Sequence, residues 1–269
     1  MKRLHLFEFH ERSECPRFLR DSVTETLGTG LRWLDMGSAV GPAFADFSRR
    51  AGCRRVLDLC SGSGMPAVLL LDWLRVHGED MPQIVLSDLF PSHAALELAQ
   101  KLHPEHLRFE PTPIDATAVP LNLDHDARVI INAFHHFAPA AAARIVADAV
   151  NKRQSLFIYE GFPRDLARFL PTGPAMLPAL LLNPLMTRQQ RIPKWLFTYV
   201  LPVIPLVATW DGIVSVLRIH DQAELRAMTR ADDDYSWDYR EVPYGRGGRA
   251  VIFSGIPNER LELSAAAAG

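Results

Sequence analysis

The chain has 269 residues, enough for a complete core, and its 29 Lys plus Arg against 31 Asp plus Glu leave a formal net charge of −2. So even a balance supplies no basic excess to neutralise a phosphate backbone, which argues against nucleic acid and toward a small-molecule partner. Cys15, Cys53 and Cys60 lack the CxxC or Cys/His spacing of a zinc site or a disulfide framework, so no metal is expected and free thiols suit a cytoplasmic chain.

At the N-terminus, Glu8 interrupts the segment after Lys2-Arg3 before an apolar stretch can form, so no signal peptide is expected. Phe18, Leu19, Val23 and Leu27 fall at helical spacing, and Val40 to Arg50, with Pro42 near its start, predicts a second helix. Residues 1–53 thus form an N-terminal helical cap. It either covers a sheet edge or closes over a ligand, in which case Arg20 is a candidate substrate contact.

Arg55-Val56-Leu57-Asp58-Leu59 predicts a strand ending in an acid. Cys60-Ser61-Gly62-Ser63-Gly64 turns on small residues, and an apolar helix follows from Met65. In this strand, loop and helix, Gly62 and Gly64 permit close backbone approach and the helix start offers unpaired amides, the pattern of a nucleotide-like ligand site. Gln83 to Asp88 is a second apolar run ending in an acid, where doubly wound folds place a carboxylate on ribose hydroxyls. A helix over Pro91 to Leu102 is expected to bury Ala94, Ala95, Leu98 and Leu102, and Leu107 to Glu110 predicts a short third strand. Asp115-Ala116 then lies in a loop after Pro111 and Pro113, where the acid either meets an exocyclic amine or caps a turn.

Arg128 to Asn132 predicts a fourth strand leading into Ala133-Phe134-His135-His136-Phe137, and Ser155 to Glu160 a fifth. Ligands bind at the carboxyl ends of strands in open α/β sheets, so Asp58, Asp88, Asn132, His135, His136 and Glu160 should converge on one edge. Residues 163–210 change character, with Leu177 to Leu182 and Leu196 to Val207 apolar and broken by proline. Arg188, Arg191 and Lys194 between the runs, together with Pro202 and Pro205, argue against a membrane span. A helical insertion is expected, open to use as a substrate lid, a homodimer interface or a peripheral membrane contact; Trp195, Tyr199 and Trp210 are its candidate substrate-lining residues. Asp221 can cap a helix from Gln222, and Tyr235 to Val242 and Arg249 to Gly255 predict a closing antiparallel hairpin through Pro243-Tyr244-Gly245-Arg246-Gly247-Gly248. The tail, 258–269, is expected to be flexible.

The fold class expected is α/β, doubly wound, with a mostly parallel seven-stranded sheet closed by that hairpin. Over about 54 to 255 the sequence resembles the class I S-adenosylmethionine-dependent methyltransferases, on Val56 to Gly64, Asp88, Asp115-Ala116 and Asn132 to Phe137. The resemblance implies a catalytic domain at 54–257, with S-adenosylmethionine as cofactor and S-adenosylhomocysteine as product. It also implies cofactor contacts at Asp58, Ser61, Gly62, Gly64, Asp88, Leu89, Asp115, Ala116 and Asn132. His135 or His136 is then the candidate general base, with Glu160 as a second candidate, for O-, N- or C-methylation of a small apolar or aromatic acceptor. Two rival readings keep the pocket: a non-catalytic cofactor-binding scaffold, and an enzyme of cyclisation or decarboxylation.

Overall fold

In the computed structural model, residues 2–268 are described except for 13, 173–176, 188–189, 230–233 and 245–247. The expectations placed on Arg188 and on Gly245 to Gly247 lie outside the described residues. Seven strands form one sheet: β1 (Arg55–Leu59), β2 (Gln83–Ser87), β3 (Leu107–Phe109), β4 (Ala127–Ile131), β5 (Ser155–Glu160), β6 (Tyr235–Tyr244) and β7 (Gly248–Pro257). Their spatial order is β3-β2-β1-β4-β5-β7-β6, so the order reverses between β1 and β4. Strands β1 to β5 pair in parallel, and β7 enters antiparallel to both β5 and β6.

The parallel strands are near-continuous apolar runs because helices cover both faces. On one face lie α2 (Met36–Ala51) and α3 (Met65–His77), where Phe44 and Phe47 meet Phe157 of β5 at ring separations of 5.6 and 5.2 Å. The other face buries Leu57, Ile130, Ile158 and Phe253 beneath α5 (Pro139–Asn151).

The sequence-predicted cap divides into two parts. Helix α2 belongs to the sheet's own covering layer, whereas α1 (Arg17–Trp33) packs with the insertion through Leu19, Leu180, Ile204 and Val207. The insertion comprises α6 (Leu166–Thr172), α7 (Leu177–Met186), α8 (Arg191–Trp195), a wide turn over Leu196–Val200, and α9 (Val203–Arg218). Its expected end at 210 falls inside α9, because Ile213, Val214, Val216 and Leu217 carry the apolar pattern on. No single helix among the described residues is long and apolar enough to cross a membrane, and Arg191–Val200 meets Val203–Arg218 at 80°.

Two further expectations are corrected. In α4 (His93–Leu102) the buried face is Leu96 and Ala99, while Ala94, Leu98 and Leu102 are exposed. The i, i+3 pair wins because it must pack under the Gly64 turn, against which both side chains lie. The tail is α11 (Asn258–Ala268) rather than a loose end, docked on α2 through the Ser264 hydroxyl, which donates to the Arg50 carbonyl at 2.9 Å. Asp221 caps α10 (Gln222–Met228) in a full capping box, its carboxylate accepting from the Glu224 amide.

Candidate active site

Strand β1 ends in Asp58, whose side chain is 2% exposed, and the turn after it is locked by hydroxyls: Ser61 and Ser87 both donate to the Asp58 carbonyl, at 2.9 and 2.8 Å. Burial, opposed by the Ser61 hydroxyl and reinforced by the nearby Asp88 charge, pushes the Asp58 carboxyl up to about 7. At the C-terminus of β2, Asp88 reaches back across the turn. Its Oδ2 accepts from the Gly62 amide at 2.9 Å, and its Oδ1 from the Phe90 amide at 2.9 Å. Leu89 follows with its side chain largely open to solvent.

The two glycines have different reasons to be glycine. Both have φ in the left-handed region, +55° at Gly62 and +73° at Gly64. A Cβ at Gly64 would stand 2.8 Å from Ala99 Cβ and 2.9 Å from Leu86 Cδ1, whereas one at Gly62 would meet nothing within 4 Å. Gly64 therefore serves packing, and Gly62 faces open space with its amide on Asp88. Cys60, in the same turn, takes φ +59° although it is not glycine. Asp115 Oδ1 accepts from both the amide and the hydroxyl of Thr117 at 2.8 Å, the turn-capping alternative, and Ala116 beside it is buried.

Beyond the reversal point, Asn132 ends β4 at φ +54°, and its Oδ1 accepts from the Gly161 amide at 2.7 Å, tying the loops after β4 and β5 together. A short helical turn over Phe134–His136 follows. It brings His135 onto Glu160 at two points: the His135 amide donates to Oε1 and Nδ1 lies on Oε2, both at 2.8 Å. Glu160 and His135 are both buried. For the His135 imidazolium burial is unfavourable, but Glu160 outweighs it and the pKa is raised.

His136 turns the other way. Its Nδ1 lies 2.6 Å from Glu11 Oε1, and burial with the adjacent His135 lowers its pKa. Around it is a set of residues that sequence reasoning missed. Glu8, His10 and Glu11 come from the strap preceding α1, and Asp211 and Arg218 come from α9. Arg218 Nη1 donates to Glu8 Oε1 at 3.1 Å and to Glu11 Oε1 at 2.6 Å, and Asp211 Oδ2 lies 2.9 Å from His10 Nδ1. Arg3 Nη2 fastens the strap to the carbonyls of His135 and Phe137, at 3.1 and 2.9 Å. The only signal in the sequence was the close succession of Glu8, His10 and Glu11.

The candidate substrate residues are dispersed. Arg20 spends its guanidinium on the carbonyls of His10 and Arg12, at 3.0 and 2.7 Å, bracing the strap. Trp195 and Tyr199 stack edge to face at 5.8 Å on an exposed stretch, and the Tyr199 hydroxyl donates to the Leu181 carbonyl. Trp210 donates from Nε1 to the Phe7 carbonyl at 3.0 Å. Two contiguous parts thus stand at the sheet's carboxyl edge, a turn bound to Asp88 and a His135–Glu160 pair.

No family model matches the chain, and no curated protein matches it in sequence. Among solved structures, the plantazolicin methyltransferase BpumL, solved in complex with SAH, superposes with a TM-score of 0.55 at 11% identity, covering 92% of each chain. Magnesium protoporphyrin IX methyltransferase (ChlM) from Synechocystis PCC 6803, with bound SAH, gives 0.48 at 13% identity over 92% of this chain and 90% of that one. Human N-acetylserotonin methyltransferase in complex with SAM gives 0.48 at 13% identity, over 87% of this chain and 56% of that one. Strand order, the antiparallel β7 and the superposition on BpumL together establish that this chain has the seven-stranded α/β fold of a class I methyltransferase.

Proposed function

We propose that the chain is an S-adenosylmethionine-dependent methyltransferase acting on a small apolar or aromatic acceptor, with His135 as general base and Glu160 as the residue that orients it. The observation that carries this reading is the two-point contact of Glu160 with His135, set beside the glycine turn on one sheet edge. The residues present fit the cofactor: Gly62 leaves the approach to the turn open, Asp88 at the end of β2 is read as the acceptor for ribose hydroxyls, and the buried Asp58 suits a cationic partner such as the cofactor's ammonium. When bound, S-adenosylmethionine would supply an electrophilic methyl group on a sulfonium.

The chain's own task is then to position and deprotonate. With Glu160 accepting from Nδ1–H, His135 keeps Nε2 free to accept a proton from the acceptor as its lone pair forms the bond to the methyl carbon. The bound cofactor would serve as the leaving group, its sulfur keeping the electron pair of the bond to the transferred methyl. Glu160 receives no proton; its role is to hold tautomer and orientation. His136 has Glu11 on its Nδ1 and is read as a positioning residue.

Calorimetric titration with S-adenosylmethionine and S-adenosylhomocysteine tests the shared premise, and the reading fails if neither binds. Transfer of labelled methyl into a small-molecule extract tests the activity. Cofactor binding without any transfer would favour the scaffold.

A further inference from the structure

The strap and the His136 turn bring together a second constellation, apart from the His135–Glu160 pair. Glu8 is fully buried, and its Oε2 has no hydrogen-bond partner among the described residues, although its other oxygen is held by Arg218 and Ser215. An unsatisfied carboxylate oxygen at such depth is costly and calls for a cation. It is aimed between two imidazoles, 3.5 Å from His10 Nδ1 and 4.0 Å from His136 Nδ1. One ligand atom from each of Glu8, His10 and His136 can be chosen so that all lie within 4.8 Å of one another.

We infer that Glu8, His10 and His136 form a binding site for a divalent transition metal ion, with Zn²⁺ the best fit to two imidazoles and a carboxylate. Ligands 2.0–2.1 Å from a tetrahedral ion stand about 3.4 Å apart. The Glu8–His10 separation of 3.5 Å already matches, and the 4.0 Å to His136 needs only a small side-chain shift. The same two Nδ1 atoms now lie against Asp211 and Glu11, at 2.9 and 2.6 Å, so an ion seated there replaces those hydrogen bonds and has two further carboxylates within reach as ligands.

Charge counting points the same way. Glu8, Glu11 and Asp211 bring three negative charges, and the guanidinium of Arg218 among them offsets one. The remaining two match a dication bound by neutral imidazoles. Arg3 and Arg20 also approach, but both are engaged by backbone carbonyls. Glu11 and His136 are 125 positions apart, so a metal here would staple the strap onto the turn that carries His135. This inference is independent of methyl transfer.

The test is calorimetric titration of the tag-free full-length chain, dialysed against chelator, with zinc chloride, alongside metal analysis of the protein as purified. One equivalent binding more tightly than about 10 μM is expected, with loss of at least tenfold in affinity in Glu8→Gln and His10→Gln. Should either variant fold poorly, the wild type alone decides: Zn²⁺ should raise its melting temperature and Mg²⁺ should not. No saturable zinc binding by the wild type, or unchanged binding in both folded variants, overturns the site.

Discussion

The two halves of the sheet's carboxyl edge are built on different principles. On the β1–β2 side the site is backbone: a turn with two left-handed glycines, amides turned toward Asp88, and hydroxyls of Ser61 and Ser87 on one carbonyl. On the β4–β5 side it is side chain: His135 on Glu160, and His136 on Glu11, with Arg218 joining a strap some two hundred positions earlier in the chain. A backbone site is specified by neighbours in sequence and tolerates little change in residue size. A side-chain site is specified by which distant elements the fold brings together.

The sharpest break between the halves should come from the His135–Glu160 pair. His135→Ala is expected to slow methyl transfer by about 10²- to 10⁴-fold, and Glu160→Gln by less, with cofactor affinity unchanged in both. Equal loss of binding and rate would place the pair in the cofactor half instead. Next in size, Gly64→Ala should cost about 2–4 kcal/mol of stability, left-handed strain adding to the overlap with Ala99 and Leu86, as read from chemical denaturation. Gly62→Ala carries the strain without the overlap, so about 1 kcal/mol is expected, and equal costs would remove the distinction between the two glycines.

Asp88→Ala takes away the acceptor of the Gly62 amide and, on the proposed function, the acceptor of the ribose hydroxyls, and should weaken S-adenosylmethionine binding about tenfold or more in calorimetry with methyl transfer at saturation little changed. The smallest effect concerns pH. Because the folded-state pKa of Asp58 is raised to about 7, the stability its bound proton contributes is full below the ordinary carboxylate range and is lost as pH rises through about 7. A cationic cofactor end favours the ionised form, so its affinity should increase between about pH 6 and about pH 8, by no more than about tenfold per unit. Asp58→Asn should flatten that profile, and a wild-type profile that falls with pH would detach Asp58 from the cofactor's ammonium.

The same contrast accounts for what the sequence disclosed. The mostly parallel seven-stranded sheet with its closing hairpin, the Gly62 to Gly64 turn, and the gathering of Asp88, His135 and Glu160 on one edge were legible because each follows from local pattern plus the rule that parallel strands present their carboxyl ends to ligands, whereas the seating of β7 between β5 and β6 and the contact of His135 with Glu160 were not. Nor was the strap. Glu8 and Glu11 near the N-terminus become interpretable only once Arg218 lies against them, and no periodicity records that meeting. The buried face of α4 was misjudged for a related reason: Leu96, Leu98 and Leu102 are equal in size and apolarity, and only the meeting of Leu96 and Ala99 with the glycine turn decides which face is buried. The insertion aromatics were read as one wall, whereas Trp210 answers to the strap through Phe7 and Trp195 to its own neighbour Tyr199.

Lys194 gives the molecule a mechanical property. It is wholly buried, and its ammonium lies 2.7 Å from Glu25 of α1 and 3.2 Å from Thr187, while Asn183 of α7 donates to the same Glu25 oxygen at 3.0 Å. Separating α1 from the insertion would break the Lys194–Glu25 ion pair and the Asn183–Glu25 hydrogen bond together. The two are therefore fastened as one body rather than two flaps, so that a movement of the first helix carries the insertion with it.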